Sequence, residues 1–177
     1  MDFDEHSEAD FVLDMNKDQL PFEDSSFDLV ILSEVLEHLY NPFNAINEAV
    51  RVLRKDGLLY VSTPFVFHYH GTPYDFYRYT EFFYKKISEE LSLEMVETKK
   101  GCSFFTTPVF TTNILIDNIF SKFKCKAFSY PLLTFLNILT FAIDSILLKF
   151  GEKLGIREKM QYMNCGIALI FKKKCVE

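Results

Sequence analysis

The sequence predicts an α/β protein whose sheet is largely parallel and carries helices on its faces, and three observations lead there. The run FDLVILS, Phe27–Ser33, is continuously apolar rather than alternating, as in a strand buried on both faces. Helical spacing follows it within ten residues, and the segment GLLYVSTP, opening at Gly57, then reads as a second buried strand. Strand, helix and strand in that order build a doubly wound sheet.

Taken in order, Phe11–Leu13 is a short apolar run that ends at Asp14 and reads as a strand, and Leu20-Pro21-Phe22 belongs to the loop beyond it. Phe27–Ser33 is the next strand. From Asn41-Pro42 onward, Phe43, Ile46, Val50 and Leu53 recur at helical spacing. Glu48, Arg51, Arg54 and Lys55 lie off that stripe, and Gly57 is placed to stop the helix. Thr80 can cap a helix running to about Leu91, Leu93–Thr98 is a strand, and Cys165–Phe171, closed by three lysines, is the last strand. Between them, residues 102–160 form an apolar helical insert within what otherwise reads as one partial domain over residues 1–177. In the insert, Phe135, Leu136, Leu139, Ile143, Ile146, Leu147, Phe150 and Leu154 follow the helical repeat, while Asn137, Asp144 and Lys149 interrupt the remaining surface.

Nearly half of the 177 residues are apolar, enough for one substantial core. A net charge of -6 disfavours an extended nucleic-acid partner, although Lys122, Lys124 and Lys126 form a short basic cluster. The four cysteines, Cys102, Cys125, Cys165 and Cys175, form no CxxC pair, which disfavours a zinc knuckle or a disulfide framework and fits a reducing, cytoplasmic setting. The acidic start MDFDEHSEAD has no export pattern.

The stretch Leu13–Phe65 combines an LPF loop, an SFDLV strand, a VLEHL turn and an RVLRKDG helix end. Together these resemble the middle of class I S-adenosylmethionine-dependent methyltransferases of the type 11 kind. The resemblance implies a Rossmann-like methyltransferase sheet, of family strand order 3-2-1-4-5-7-6, with S-adenosylmethionine as cofactor. The family's first strand and its glycine-rich turn have no counterpart, since no glycine precedes Gly57. The expectation is therefore an N-terminally truncated domain in which Met1 would be internal to a longer protein.

By the same resemblance, Asp14 faces the adenine amino group and the Met15 amide a ring nitrogen, a carboxylate and an N–H complementing the donor and acceptor of that edge. Asp2 is the ribose ligand, and Ser33 and Glu34 lie beside the cofactor's methionine portion, at the carboxyl end of a strand where open α/β sheets bind ligands. His38 and His70 are the candidate catalytic residues. Glu34, Glu37 and His38 fall at i, i+3 and i+4 and would share a face if a helix began at Glu34. That pattern resembles some metal-assisted O-methyltransferases in which a later histidine, here His70 or His68, completes the set. A site without metal is nevertheless the leading expectation.

HGTPYDFYRYT, His70–Thr80, resembles a motif of enzymes linked to glycan or cell-envelope biosynthesis. Its donors and aromatic faces suit a sugar or aromatic substrate, or else Asp75 and Arg78 pair in a structural loop whose tyrosines cover the sheet end. The insert reads as a core or lid helix, with a peripheral membrane contact or a homodimer through residues 104–154 as the other options. The function expected is O- or N-methylation of a small, glycan or lipid-linked acceptor. The alternative is an inactive remnant of the fold that binds a membrane or a partner.

Overall fold

The computed structural model describes residues 10–101, 103, 106–122, 126–155 and 164–174. Its elements are β1 (Phe27–Ser33), a single 3-10 turn (Leu36–His38), α1 (Pro42–Val52), β2 (Leu53–Pro64), α2 (Glu81–Glu90), β3 (Leu93–Gly101), α3 (Thr106–Lys122), α4 (Lys126–Lys153) and β4 (Gly166–Lys173). The four strands form one sheet in the order β1-β2-β4-β3, with β1 and β2 parallel from Leu29↔Leu58 to Ser33↔Ser62. This is the second half, 4-5-7-6, of the order the resemblance implies. The chain divides into two compact units, one of Met1–Pro64, Tyr69–Lys99 and Ile167–Glu177, the other of Phe65–His68 and Lys100–Gly166.

In the first unit, the core joins Leu32 of β1, Ala45, Ile46 and Ala49 of α1, Leu59 and Val61 of β2, Tyr84 and Ile87 of α2, and Leu169 and Phe171 of β4. Alternation along β2 puts Leu53, Leu59, Val61 and Thr63 on the core face, where Thr63 and Tyr84 share a buried hydroxyl hydrogen bond of 2.8 Å. The continuous apolar run of β1 predicts cover on both faces, yet Leu29 and Ile31 are exposed. Both helices of this unit contribute to the single core cluster that holds Leu32, so the opposite face of β1 stays open among the described residues.

Three boundaries differ from expectation. The segment Phe11–Leu13 is extended but contributes a single bridge at Val12 rather than a strand of the sheet, because no ladder partner supports it among the described residues. Phe11 instead packs edge-on against Phe22, which meets Phe27 in the same way. Helix α1 ends at Val52, and the buried face is Pro42, Ala45, Ile46, Ala49 and Val52, with Phe43 exposed. Gly57 does not stop it. A Cβ on Gly57 would lie 2.8 Å from Leu53 Cδ1 and 2.9 Å from the Arg54 carbonyl, so this glycine serves the irregularity where β1 and β2 slip register after Phe27. Thr80 does cap α2, accepting from the Phe83 N–H at 3.4 Å.

In the second unit, α3 and α4 pack as a helical pair with the polarity of α4 inverted. Asp144 is 6% exposed and accepts from the hydroxyls of Ser103 and Thr106, and Asn137 bonds Asn113 across the pair. The stripe predicted to be covered is the exposed one: Phe135, Ile146 and Phe150 are 64, 67 and 59% exposed.

The loop before β1 is clamped to α1 by Arg51. Its guanidinium donates to Glu48 (2.8 and 2.9 Å), to the carbonyls of Leu20 and Phe22 (3.0 and 2.8 Å) and to Asp24 (2.7 Å), and Glu48 also accepts from the Leu20 N–H. Arg51 holds the Glu48 carboxyl below its ordinary value of 4.5. A carboxylate with a lowered folded-state value contributes stability above the unfolded value, and that contribution vanishes as pH falls through the folded one. Glu48→Gln is therefore expected to be less stable than the parent near neutral pH in urea unfolding. The gap should close as pH drops below about 4, and a pH-independent gap would contradict the assignment.

Candidate active site

β1 ends at Ser33, and the chain then turns sharply. Glu34 adopts the left-handed conformation (φ +52°) while its N–H donates to the Ser62 carbonyl at 2.9 Å, and the Ser33 and Ser62 hydroxyls lie 3.0 Å apart. No helix starts at Glu34. The only helical turn here is Leu36–His38, so Glu34 is not stacked above Glu37 and His38 as the i, i+3, i+4 spacing predicts. The left-handed residue breaks that periodicity.

Leu36 and Glu37 are fully buried. Their carbonyls are served by the segment His70–Thr80. The Tyr79 hydroxyl donates to Leu36 O at 3.0 Å, and the N–H groups of Phe76 and Tyr77 donate to Glu37 O at 2.8 and 3.3 Å. Within this strap Asp75 accepts a bidentate grip from Arg78 (2.5 and 2.9 Å) and the His70 N–H at 3.0 Å, and the guanidinium holds the Asp75 carboxyl well below the usual carboxylate range. Burial pushes the Tyr79 phenol and the Glu37 carboxyl upward.

The two imidazoles meet over Glu37. Nε2 of His38 and Nε2 of His70 each lie 3.7 Å from Glu37 Oε1, with ring centroids 4.7 Å apart. His38 Nδ1 lies 2.5 Å from the Tyr74 carbonyl and His70 Nδ1 lies 3.5 Å from Asp75 Oδ2. Glu34 and His68 are not part of this cluster.

Beside it, Leu13, Asp14, Met15, Asn16, His38, Leu39, Tyr40, Tyr74 and Phe76 line a cavity of about 330 Å³. Asp14 and Met15, predicted from sequence as adenine ligands, thus share a cavity with His38. Asp14 shapes the loop, accepting from the Asn16 side-chain amide at 2.9 Å and backbone N–H at 3.0 Å. Those bonds hold its carboxyl below the ordinary value. The Asn44 amide donates to the Met15 carbonyl at 3.1 Å and so ties the loop to α1. Ser33 and Glu34 do not line this cavity. Asp2 lies outside the described residues.

Sequence reasoning passed over Gly71. It has φ +60°, and a Cβ there would stand 2.8 Å from His38 Cε1, so glycine is needed both for the backbone and for the ring beside it. The histidine-glycine pair at the head of the strap is the signal that could have found it.

A sheet of this order, with a cavity beside the carboxyl end of its first parallel strand, is the architecture of Rossmann-like methyltransferases. Residues 3–61 match the family described as "Methyltransferase domain". A probable S-adenosylmethionine-dependent methyltransferase of Mycobacterium tuberculosis is 45% identical over 53 residues, 30% of this chain and 19% of that protein. An uncharacterized protein of Methanocaldococcus jannaschii is 31% identical over 87 residues, 49% of this chain and 42% of that one. Among solved structures, the cyclase SpnF superposes with a TM-score of 0.54 at 16% identity, over 94% of this chain and 56% of that one. A provisionally named methyltransferase from Bacillus halodurans gives 0.50 at 16%, over 93% and 71%. These last two show the fold alone. The chain spans about a fifth of the length of the Mycobacterium relative, and its residues 3–61 are similar to a methyltransferase domain.

Gly71→Ala is expected to cost about 1–2 kcal/mol from the left-handed backbone and to displace the His38 ring. Urea midpoints and the histidine ring resonances would report both. Unchanged His38 resonances would reject the close approach.

Proposed function

We propose that this chain serves S-adenosylmethionine-dependent methyl transfer, with the nucleoside of the cofactor in the cavity of Asp14, Met15 and His38. The observation that carries this reading is that cavity. Its volume of about 330 Å³ suits a nucleoside-sized group, and it combines a carboxylate, an amide side chain and the aromatic residues Tyr40, Tyr74 and Phe76. Asp14 and Met15 would read the adenine edge, Asp2 the ribose, and Ser33 and Glu34 the amino-acid end. When bound, the cofactor supplies an electrophilic methyl group on sulfur. The chain's part is then to hold an acceptor oxygen or nitrogen in line with that methyl, to exclude water and to take the acceptor proton, for which His38 and His70 are the candidate bases.

Calorimetric titration with S-adenosylhomocysteine tests the cavity. Micromolar binding is expected for the parent and at least about tenfold weaker binding for Asp14→Ala. Equal affinities would overturn the adenine assignment.

Within the same reading, the acceptor is lipid-linked, and α3 and α4 contact the membrane that holds it. The support is the inverted polarity of the pair: Ser103, Thr106, Asn113, Asn137 and Asp144 make their polar contacts inside, while Phe135, Ile138, Phe141 and Ile146 face outward. Buried polar contacts and exposed apolar side chains are the arrangement that hydrocarbon favours and water opposes. Leu133–Lys153 is also long and apolar enough to enter a bilayer. Lys122 stands at the end of α3 and Lys153 at the end of α4. The chain is expected to float with phosphatidylglycerol-containing vesicles and an Ile138→Glu, Ile146→Glu variant to remain at the bottom of the gradient. A lipid-independent, monodisperse dimer that ignores vesicles would overturn this assignment.

A further inference from the structure

We propose that Glu37, His38 and His70 form a binding site for a divalent metal ion of the zinc class. The inference stands on donor geometry and does not need the methyl-transfer reading. Glu37 is 0% exposed, and neither of its carboxylate oxygens has a hydrogen-bond partner. A buried carboxylate without a partner is among the costliest arrangements a protein can hold, and such groups are paired or bind metal. What faces Glu37 is two imidazoles.

The donor atoms of these three residues all lie within 4.8 Å of one another. The two distances of 3.7 Å from Glu37 Oε1 to the Nε2 atoms are too long for hydrogen bonds. Ligand atoms on one tetrahedral zinc ion, with bonds of 2.0–2.1 Å, stand about 3.3 Å apart. Closing the two carboxylate–imidazole sides of the triangle onto an ion therefore takes a few tenths of an ångström, while the imidazole–imidazole side, within 4.8 Å, must shorten by up to about 1.5 Å. A proton shared between Glu37 and one imidazole would instead require that pair to approach to about 2.7–2.9 Å.

The outer contacts point the same way. The Tyr74 carbonyl can only accept, so His38 carries a hydrogen on Nδ1 and presents Nε2 to Glu37. His70 Nδ1 faces Asp75, which Arg78 fixes from the other side. A carbonyl behind one histidine and a carboxylate behind the other are the supports that orient metal-binding imidazoles. Gly71 leaves the space in which the His38 ring sits. Two nitrogens and one carboxylate oxygen match a borderline divalent ion and leave a coordination position for an exchangeable ligand.

The test uses the full chain after chelator treatment, with Zn²⁺ and Co²⁺ as probes. Expected are about one equivalent of Zn²⁺ by elemental analysis, a rise in Tm with Zn²⁺, and visible Co²⁺ absorption of a low-coordinate N/O site. His38→Gln and His70→Gln should each lose these signals, and Asp75→Asn, a positioning variant, should weaken Zn²⁺ binding by about 10–100-fold. Glu37→Gln should match or exceed the parent in Tm under chelation and gain nothing from Zn²⁺. A purely structural glutamate would instead lose stability in both conditions. If Glu37→Gln does not fold, the two histidine variants decide. Absence of stoichiometric Zn²⁺ in the parent, or binding unchanged in both histidine variants, would overturn the site. Loss of S-adenosylhomocysteine binding with Zn²⁺ binding intact would sink the methyl-transfer reading alone.

Discussion

The first unit depends on one constraint: the 3-10 turn Leu36–His38 buries Leu36 and Glu37, and its own hydrogen bonding serves Leu36 O, from the Leu39 N–H at 3.3 Å, but not Glu37 O. The answer comes from the strap His70–Thr80, which sends the Tyr79 hydroxyl to Leu36 O and the Phe76 and Tyr77 N–H groups to Glu37 O. Each bond of this kind is modest when made and costly when missing inside a protein. The strap therefore completes the hydrogen bonding that the turn leaves open. Tyr79 extends the link into the core, since its ring lies 4.7 Å from that of Phe83 and 5.8 Å from that of Tyr84.

That link has a chemical consequence. With its backbone fixed from both sides, the Glu37 side chain is held inside the protein, and His38 next to it is held by the Tyr74 carbonyl from the same strap. The strap also delivers His70, whose backbone N–H bonds Asp75 in a six-residue loop that Arg78 closes. Packing thus brings together a carboxylate and two imidazoles that lie 33 positions apart at the extremes, 70 less 37. The adjoining cavity inherits its wall from the same residues, with His38, Tyr74 and Phe76 on one side and the Asp14 loop on the other.

Local chemistry explains what was legible in the sequence. Thr80 announces α2 because its hydroxyl serves an orphan N–H of the first turn, and β1, β2 and β4 announce themselves as apolar runs of strand length. The resemblance puts Asp14, Met15, Ser33 and Glu34 at the cofactor and His38 among the catalytic candidates; one cavity is lined by Asp14, Met15 and His38 and not by Ser33 or Glu34. Tertiary facts were not legible. Gly57 reads as a helix stop but answers close approaches of Leu53 and the Arg54 carbonyl within β2 and of the Asp28 carbonyl from β1, the last of which exists only once β1 and β2 pair. Spacing stacks Glu34 on Glu37, yet one left-handed residue removes it from the set. Phe11–Leu13 has strand composition, but a strand requires a neighbour as well as a composition.

Helical periodicity carries a further ambiguity, and α4 displays it. A stripe of apolar residues at i, i+3, i+4 and i+7 defines two faces without stating which of them meets solvent; that depends on what the solvent is. In the first unit the rule for water holds, with Ala45, Ile46 and Ala49 inside and Asn47 exposed on α1. In the second, Asp144 is buried against two hydroxyls while Phe135, Ile146 and Phe150 are exposed. Carboxylate and hydroxyl groups gain little by pairing where water competes for them and much where it is excluded, whereas apolar side chains lose by exposure only to water. The two units of this chain thus place their polar and apolar side chains by opposite rules.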